Sequence, residues 1–120
     1  MKLFNATNGA HWYRSTNWGR KSSSVCTWYG IQCDKNNCVD DIRIGSNELS
    51  GTIVPELSFL RAVTYLSLDG NDLKGTIPPE LGSLKQLHFM DLRFNDLEGT
   101  IPEALGYPPD LGTLDLVHNK

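Results

Sequence analysis

Three cysteines lie within thirteen residues of one another, at Cys26, Cys33 and Cys38. Thiols at such short spacing either bind a metal ion or form a disulfide bond. A structural zinc site usually takes a Cys-x2-Cys pair and four ligands, but the spacing here is Cys-x6-Cys-x4-Cys, and a fourth ligand would have to be a distant histidine. The pattern therefore predicts no metal site. It favours a disulfide in an oxidising compartment, with one thiol left over.

The three histidines, His11, His88 and His118, are the other candidates for chemistry. Catalysis needs groups that converge in a concave pocket which excludes water. These histidines are spread along the chain, and no nucleophile or carboxylate stands at a telling distance from any of them. We therefore predict no catalytic residue, no enzyme activity and no cofactor.

Composition and charge exclude two further classes of protein. The net charge is −3, and no run of Lys or Arg exceeds two residues, so we expect no nucleic-acid partner. No apolar stretch is long enough to cross a bilayer, so we expect no transmembrane segment in this chain. The first residues become polar at once, so we also expect no signal peptide in this chain.

An internal repeat of 24 residues organises most of the chain. One asparagine, one glycine and six apolar positions all recur in this register, which chance does not produce. The asparagines are Asn47, Asn71, Asn95 and Asn119. The repeat predicts units at residues 39–62, 63–86 and 87–110, and a partial unit at 111–120. Because the last unit is cut short, we expect the sequence to be incomplete.

The residue types predict the local structure of one unit. Leu66-Ser67-Leu68 alternates apolar and polar residues, as a short strand with one buried face does. The amide of the repeated asparagine can both donate and accept hydrogen bonds, so it can satisfy backbone groups in the following turn. Stacked units would then form a ladder of these amides. Pro79-Glu80-Leu81 predicts a short helical turn on the return path.

One such unit is too small to fold alone, so neighbouring units must share a core. The sequence thus predicts an α/β solenoid with a parallel concave β-sheet and short helical or irregular convex turns. The units read Leu-x-x-Leu-x-Leu-x-x-Asn-x-Leu-x-Gly-Thr-Ile-Pro-x-x-Leu-Gly, most closely over residues 66–84. This pattern resembles the plant-type leucine-rich repeat, and the resemblance implies a right-handed superhelix.

The segment before the repeats resembles the amino-terminal cap of the same family. The resemblance is carried by Ala6-Thr7-Asn8-Gly9, by Trp12 and Trp18, and by the eight residues from Cys26 to Cys33. Similar phrases occur in repeat proteins of diatoms and other algae. We therefore expect a cap at residues 1–38 and repeats at 39–120. The tryptophans would cover the apolar edge of the first coil, and the alternative is a sugar-binding platform.

The family pattern joins Cys26 to Cys33. A hairpin is also expected, in which residues 28–33 pair with residues 39–44. Cys38 stands opposite Cys33 in that hairpin, so a Cys33–Cys38 bond stays open as the alternative pairing.

Ligands of this architecture usually bind the concave strands, between the buried leucines. Aromatic residues and arginine are the types that anchor interfaces. The predicted ligand-binding residues are Tyr65, Asp69, Phe89, Asp91, Arg93, Phe94 and Asp115. The alternative interpretation is that Phe89 and Phe94 merely pack on neighbouring strands, and that Asp69–Arg93 and Asp91–Arg93 are weak surface pairs.

The leading hypothesis is a non-catalytic recognition module that binds a protein or peptide, with a glycan as a further candidate ligand. The resemblance implies receptor-like relatives, so we expect a fragment of a protein from the cell surface or the extracellular space. Asn5 heads an N-glycosylation sequon, which agrees with that location. The alternative hypothesis is a structural spacer in the cell wall or matrix that binds glycans weakly.

Overall fold

The computed structural model describes residues 2–120 and contains eight strands in that part of the chain. They are β1 (Ile31–Cys33), β2 (Val39–Arg43), β3 (Ser50–Thr52), β4 (Tyr65–Ser67), β5 (Asp72–Gly75), β6 (Phe89–Asp91), β7 (Asp96–Leu97) and β8 (Thr113–Asp115). The larger sheet has the order β1-β2-β4-β6-β8. Its strands β2, β4, β6 and β8 are parallel, and β1 is antiparallel to β2.

The register of the parallel strands follows the 24-residue repeat. Ile42 lies opposite Leu66, Leu66 opposite Met90, and Met90 opposite Leu114. The first three side chains are almost fully buried, and Leu114 in the last coil is half-buried. Because each coil places its apolar residues over those of the coil before it, one core runs through the stack. The predicted repeat solenoid with a parallel sheet is confirmed.

The return side of each coil is more regular than the sequence indicated. Short 3₁₀ helices span Pro55–Phe59, Pro79–Ser83 and Glu103–Gly106, where helical or irregular turns were expected. A second parallel sheet, of order β3-β5-β7, was not expected. Its strands are short, and glycine allows the backbone conformation at the end of β5, since Gly75 has a φ of 75°.

The amide of Asn71 ties its own coil to the preceding one. Its Oδ1 accepts hydrogen bonds from the backbone N–H groups of Asn47 and Leu49, both at 3.0 Å. Its Nδ2 donates to the carbonyl oxygens of Leu68, at 2.9 Å, and Ile44, at 3.1 Å. Nδ2 also lies 3.2 Å from the carbonyl oxygen of Asp69. One side chain therefore satisfies five backbone groups in a buried turn, where unpaired groups would be costly.

The later asparagines repeat this arrangement. Asn95 Oδ1 accepts from the N–H of Leu73 at 3.1 Å, and Asn119 Oδ1 accepts from the N–H of Leu97 at 3.0 Å. In each case the donor lies 22 residues earlier, in the preceding coil. The amides thus connect successive coils through the turn that follows each strand.

Asn47 belongs to the first coil, and the cap supplies its partners. Its Nδ2 donates to the carbonyl oxygen of Arg14 at 2.8 Å, and its Oδ1 accepts from the N–H of the same residue at 2.7 Å. The N–H of Tyr13 donates to the carbonyl oxygen of Asn47 at 3.1 Å. The backbone of the cap therefore stands where a preceding coil would stand.

Tryptophans form the core of the cap. Trp18 packs against both Trp12 and Trp28, with ring centroids 4.8 Å apart in each case. Trp12 and Trp18 are buried, and their indole N–H groups donate to the carbonyl oxygens of Thr7 and Tyr29, each at 2.9 Å. Two of the three rings are thus enclosed, and they do not present a platform for a sugar.

The hairpin of the cap contains one of the two cysteines that form the disulfide. Cys33 lies opposite Val39, because the pairing of β1 and β2 shifts by one residue at Cys33. Cys26 is bonded to Cys33. Cys38 has an exposed free thiol, and its backbone N–H donates to Asp34 Oδ1 at 3.0 Å. The pairing implied by the family resemblance is therefore present, and the alternative Cys33–Cys38 bond is wrong.

We predict that Asn71→Ala lowers the free energy of unfolding by about 3 kcal/mol, because several buried backbone groups lose their only side-chain partner. Asn119→Ala is the matched control, and we expect a loss of about 1 kcal/mol there because that turn is only half-buried. Urea denaturation followed by tryptophan fluorescence measures both. Equal losses in the two variants would contradict this account of the amides.

We also predict that the double change Cys26→Ser and Cys33→Ser lowers the free energy of unfolding by about 2 kcal/mol, because the bond no longer restricts the unfolded chain. Changing both residues avoids a new bond from a stranded thiol to Cys38. Cys38→Ser should leave stability unchanged. A larger loss of unfolding free energy in Cys38→Ser than in the double variant, measured in the same urea titration, would contradict this prediction.

Candidate binding face

Two aromatic rings lie side by side on the concave sheet. Tyr65 and Phe89 face each other across β4 and β6, with ring centroids 4.3 Å apart and planes 10° from parallel. The guanidinium of Arg43 lies 4.0 Å from the centre of the Tyr65 ring. Arg43 is held there by Asp41, through Nε–Oδ1 and Nη2–Oδ2 contacts of 2.9 and 2.8 Å. Both rings remain half-exposed, so this group offers an apolar surface edged by a cation.

Arg43 was not among the predicted binding residues, although it occupies one of the outward-facing positions of its strand. The sequence did contain a signal for its contact with Tyr65. Arg43 lies opposite Ser67 in the pairing of β2 with β4, and Tyr65 is two residues from Ser67 on the same strand. A long side chain reaches a diagonal neighbour of this kind.

The second group on the sheet is ionic. Arg93 contacts Asp91 through Nε–Oδ2 at 3.1 Å and Asp115 through Nη1–Oδ2 at 3.7 Å. Of the two surface pairs in the alternative interpretation, Asp91–Arg93 forms and Asp69–Arg93 does not. Asp69 Oδ1 instead accepts a hydrogen bond from the Ser67 hydroxyl on its own coil. Arg93 thus bridges its own coil and the next one, rather than the preceding one.

Asp91 is more deeply placed than a surface residue. Its exposed fraction is 4%, and Oδ1 accepts the N–H of Arg93 at 3.1 Å. Burial raises the pKa of Asp91, and the nearby carboxylates of Asp69 and Asp115 raise it further, while the hydrogen bond and the charge of Arg93 lower it. Asp91 therefore supports the position of Arg93 more than it offers a carboxylate to a ligand.

Phe94 lies beyond the end of β6 and apart from the Tyr65–Phe89 stack. Its ring is 52% exposed and stacks on His118 in the next coil, with centroids 4.5 Å apart. Its φ is 54°, in the left-handed region that bulky residues rarely adopt. The one hint in the sequence is that Gly70 occupies the equivalent position one repeat earlier.

The predicted residues therefore divide into separate groups. Tyr65 and Phe89 form one group together with Arg43, and Asp91, Arg93 and Asp115 form another. Asp69 contacts Ser67, and Phe94 contacts His118. The first two groups share the concave sheet.

The remaining candidates for chemistry are satisfied locally. His11 Nδ1 lies 2.9 Å from Asn8 Oδ1, and His88 Nδ1 lies 2.6 Å from the carbonyl oxygen of Gln86. Across residues 2–120, no three His, Cys, Asp or Glu side chains are grouped so that they could hold a metal ion. Over the same range, every helix is too short or too polar to span a membrane.

Family models match both parts of the chain. The leucine rich repeat N-terminal domain matches residues 1–34, and the leucine rich repeat matches residues 62–84 and 86–107. The chain is a leucine-rich-repeat protein with an amino-terminal cap. The matches to the cap model and to the repeat model agree with the fold described above.

The chain is similar to several plant proteins. Leucine-rich repeat protein 1 of Oryza sativa subsp. japonica is 42% identical over 51 residues, which are 42% of this chain and 24% of the rice protein. The BIR3–SERK2 complex from Arabidopsis thaliana has a chain that superposes with a TM-score of 0.84 at 32% identity, over 98% of this chain and 65% of the other. The plant peptide hormone receptor RGFR1 in complex with RGF2 superposes with a TM-score of 0.66 at 31% identity, over 79% of this chain and 18% of the receptor. This leucine-rich-repeat chain thus spans about a quarter of the rice protein and less than a fifth of the receptor.

We predict that wild-type stability rises relative to that of Asp91→Asn as the pH falls. A carboxyl whose folded-state pKa is raised contributes stability that is complete below its ordinary value of 3.8 and lost as the pH rises through the folded-state value. Urea unfolding of both proteins from about pH 7 to about pH 4 measures this difference. A constant or widening deficit of the wild type on acidification would contradict the raised pKa. Asp72→Asn, at an exposed carboxyl, serves as the control.

Proposed function

We propose that the concave sheet of this leucine-rich-repeat chain recognises a peptide or protein partner at the cell surface or outside the cell. The observation that carries the proposal is the Tyr65–Phe89 stack with Arg43 beside it. A ligand side chain placed on these rings would gain apolar contact with little loss of side-chain freedom, because the rings are already fixed by each other and by the Arg43–Asp41 contact.

Arg93 adds a polar anchor to this proposal. Its guanidinium is held by Asp91 and Asp115, and its side chain is 45% exposed. It can donate hydrogen bonds to a ligand carboxylate or backbone carbonyl while those contacts persist. The concave face would then offer an apolar contact on β4 and β6 and an oriented donor just beyond the end of β6.

The comparisons and the cap support an extracellular setting. RGFR1 is described as a peptide hormone receptor in complex with RGF2, and BIR3 is described in complex with SERK2. The Cys26–Cys33 disulfide fits an oxidising compartment, and Asn5 of the sequon is exposed on α1 (Lys2–Ala6). We propose no catalytic role for the chain, because His11 and His88 are engaged separately and lie apart from the residues of the concave face.

The alternative proposal is a structural spacer in the cell wall or matrix that binds glycans weakly. Burial of Trp12 and Trp18 removes the most obvious sugar platform from that proposal. The ordered aromatic stack on the concave face favours recognition over a purely mechanical role.

The recognition proposal can be tested with peptides selected from a displayed random library on the immobilised 120-residue chain. We predict that the double change Tyr65→Ala and Phe89→Ala weakens binding of the selected peptides at least about thirtyfold, the effect of losing an interface anchor of about 2 kcal/mol. The variant should lose only about 1 kcal/mol of stability, since the rings are half-buried and their stack contributes modestly.

Phe59→Ala is the matched control. Phe59 is a 71% exposed aromatic on the return side of the coil, at the end of the 3₁₀ helix Pro55–Phe59. Peptide affinity measured by calorimetry should be unchanged in this variant. Selected peptides that bind the double variant as tightly as wild type, or that depend on Phe59 instead, would overturn the assignment of the site to the concave sheet.

A further inference from the structure

One position of the repeat has the left-handed backbone conformation in all four coils. It is the residue immediately before the ladder asparagine, where the chain leaves the concave sheet. Its members are Ser46, Gly70, Phe94 and His118, with φ values of 48°, 63°, 54° and 56°. Only glycine adopts this conformation without cost, so the other residues are kept there by the turn around them.

These residues stand directly above one another. The N–H of Ser46 donates to the carbonyl oxygen of Asp69 at 2.8 Å, and the N–H of Gly70 donates to that of Arg93 at 3.0 Å. The N–H of Phe94 donates in the same way, and successive coils in such a sheet lie about 4.8 Å apart. One face of the Phe94 ring packs on His118. On its other side the preceding coil has Gly70, which has no side chain to cover the ring.

The exposure of Phe94 is therefore not explained by packing. A bulky residue with positive φ costs stability, and a ring that is 52% exposed recovers little of that cost by burial. Gly70 shows that the same turn forms with glycine. Residues that combine backbone strain with exposure are concentrated at ligand sites, so Phe94 is a candidate for contact with a ligand.

A groove of about 710 Å³ opens beside the ring. Besides Phe94 and His118, its lining residues are Ser50, Asn71, Asp72, Lys74, Asn95 and Asp96. Among the charged lining residues, Asp72 and Asp96 outnumber Lys74. Lys120 lies outside the lining but pairs with Asp96, with Nζ 2.9 Å from Oδ1, so these four charges together cancel. The groove thus combines an aromatic face with hydroxyl, carboxylate and ammonium groups, and its charges cancel once Lys120 is included. The amides of Asn71 and Asn95 are occupied by the ladder.

We infer that this groove binds an uncharged glycan, with one pyranose ring stacked on Phe94. The C–H face of a pyranose is apolar and flat enough to pack on an aromatic ring, while its hydroxyls both donate and accept hydrogen bonds. The carboxylates of the groove can accept hydrogen bonds from the sugar hydroxyls, and its ammonium groups can donate to them. An ionic ligand would gain little from a groove whose charges already cancel, so the balance favours a neutral one. This site is separate from the Tyr65–Phe89 stack and does not depend on the peptide proposal.

The inference can be tested by NMR titration of the isotopically labelled 120-residue chain with cellohexaose, xylohexaose and mannohexaose. We expect at least one of these neutral sugars to shift the amide signals of Gly70, Phe94 and Asp96 at millimolar concentration. Phe94→Gly, which copies Gly70, should weaken that binding about tenfold, whereas Phe94→Trp should retain it. Phe94→Asn gives a second variant without the ring, since asparagine tolerates positive φ.

Two controls make the outcome decisive. The double change Tyr65→Ala and Phe89→Ala should leave sugar binding unchanged, which separates this site from the concave stack. Hexagalacturonate and N-acetyltyrosinamide test the other ligand classes. Absence of shifts with all three neutral sugars, equal sugar affinity in Phe94→Gly, or shifts at these residues with only the charged sugar or only the aromatic amide would each overturn the inference.

Discussion

The structure depends on the asparagine amide that connects each coil to the one before it. At Asn71, a single side chain takes up backbone donors and acceptors from two coils in a turn that water does not reach. Parallel strands of three residues form few backbone hydrogen bonds of their own, so the turn must be fixed by something other than the sheet. Because the amide meets that need from inside, the side chains outside are not required for folding. The sequence of the concave face and of its edge is consequently free to vary with the ligand.

The same requirement explains the cap. The first amide, on Asn47, needs a backbone N–H and a carbonyl oxygen from an earlier segment, and Arg14 supplies both. The cap must hold that stretch of chain firmly although it has no repeat of its own. Packed tryptophans achieve this, with the indole N–H of Trp12 and of Trp18 each bonded to a backbone carbonyl, and the Cys26–Cys33 bond restricts the segment that leads into β1. The cap thus acts as a substitute coil, and its aromatic residues serve the fold instead of a ligand.

The sequence predicted the positions that folding requires better than the positions that are free to vary. Positions that repeat for a physical reason, such as Leu66 and Met90 in the core, could be placed from spacing alone, and so could the parallel sheet. The second sheet was missed because its strands pair through backbone groups and carry no alternating apolar pattern; Ser50-Gly51-Thr52 does not look like a strand. On the face itself, spacing identified the outward positions but not their partners. It could not show that Asp91 is buried, or that Arg93 bonds forward to Asp115 and leaves Asp69 to Ser67. Those choices depend on side-chain rotamers and on the depth of each residue below its neighbours, which a repeat register does not encode.

At the left-handed turn before each asparagine, the backbone conformation is fixed but the residue type varies. Its backbone conformation is set by the ladder, so every coil must adopt it, yet the residue there differs in each coil. Glycine is the residue with the lowest conformational cost at that point, and Gly70 demonstrates that the fold accepts it. A phenylalanine at the same position, mostly uncovered on one side, therefore gains little for the fold and is consistent with contact to a ligand. Backbone strain together with exposure points to a ligand more strongly than exposure alone does, because an exposed residue in an unstrained conformation costs the fold nothing.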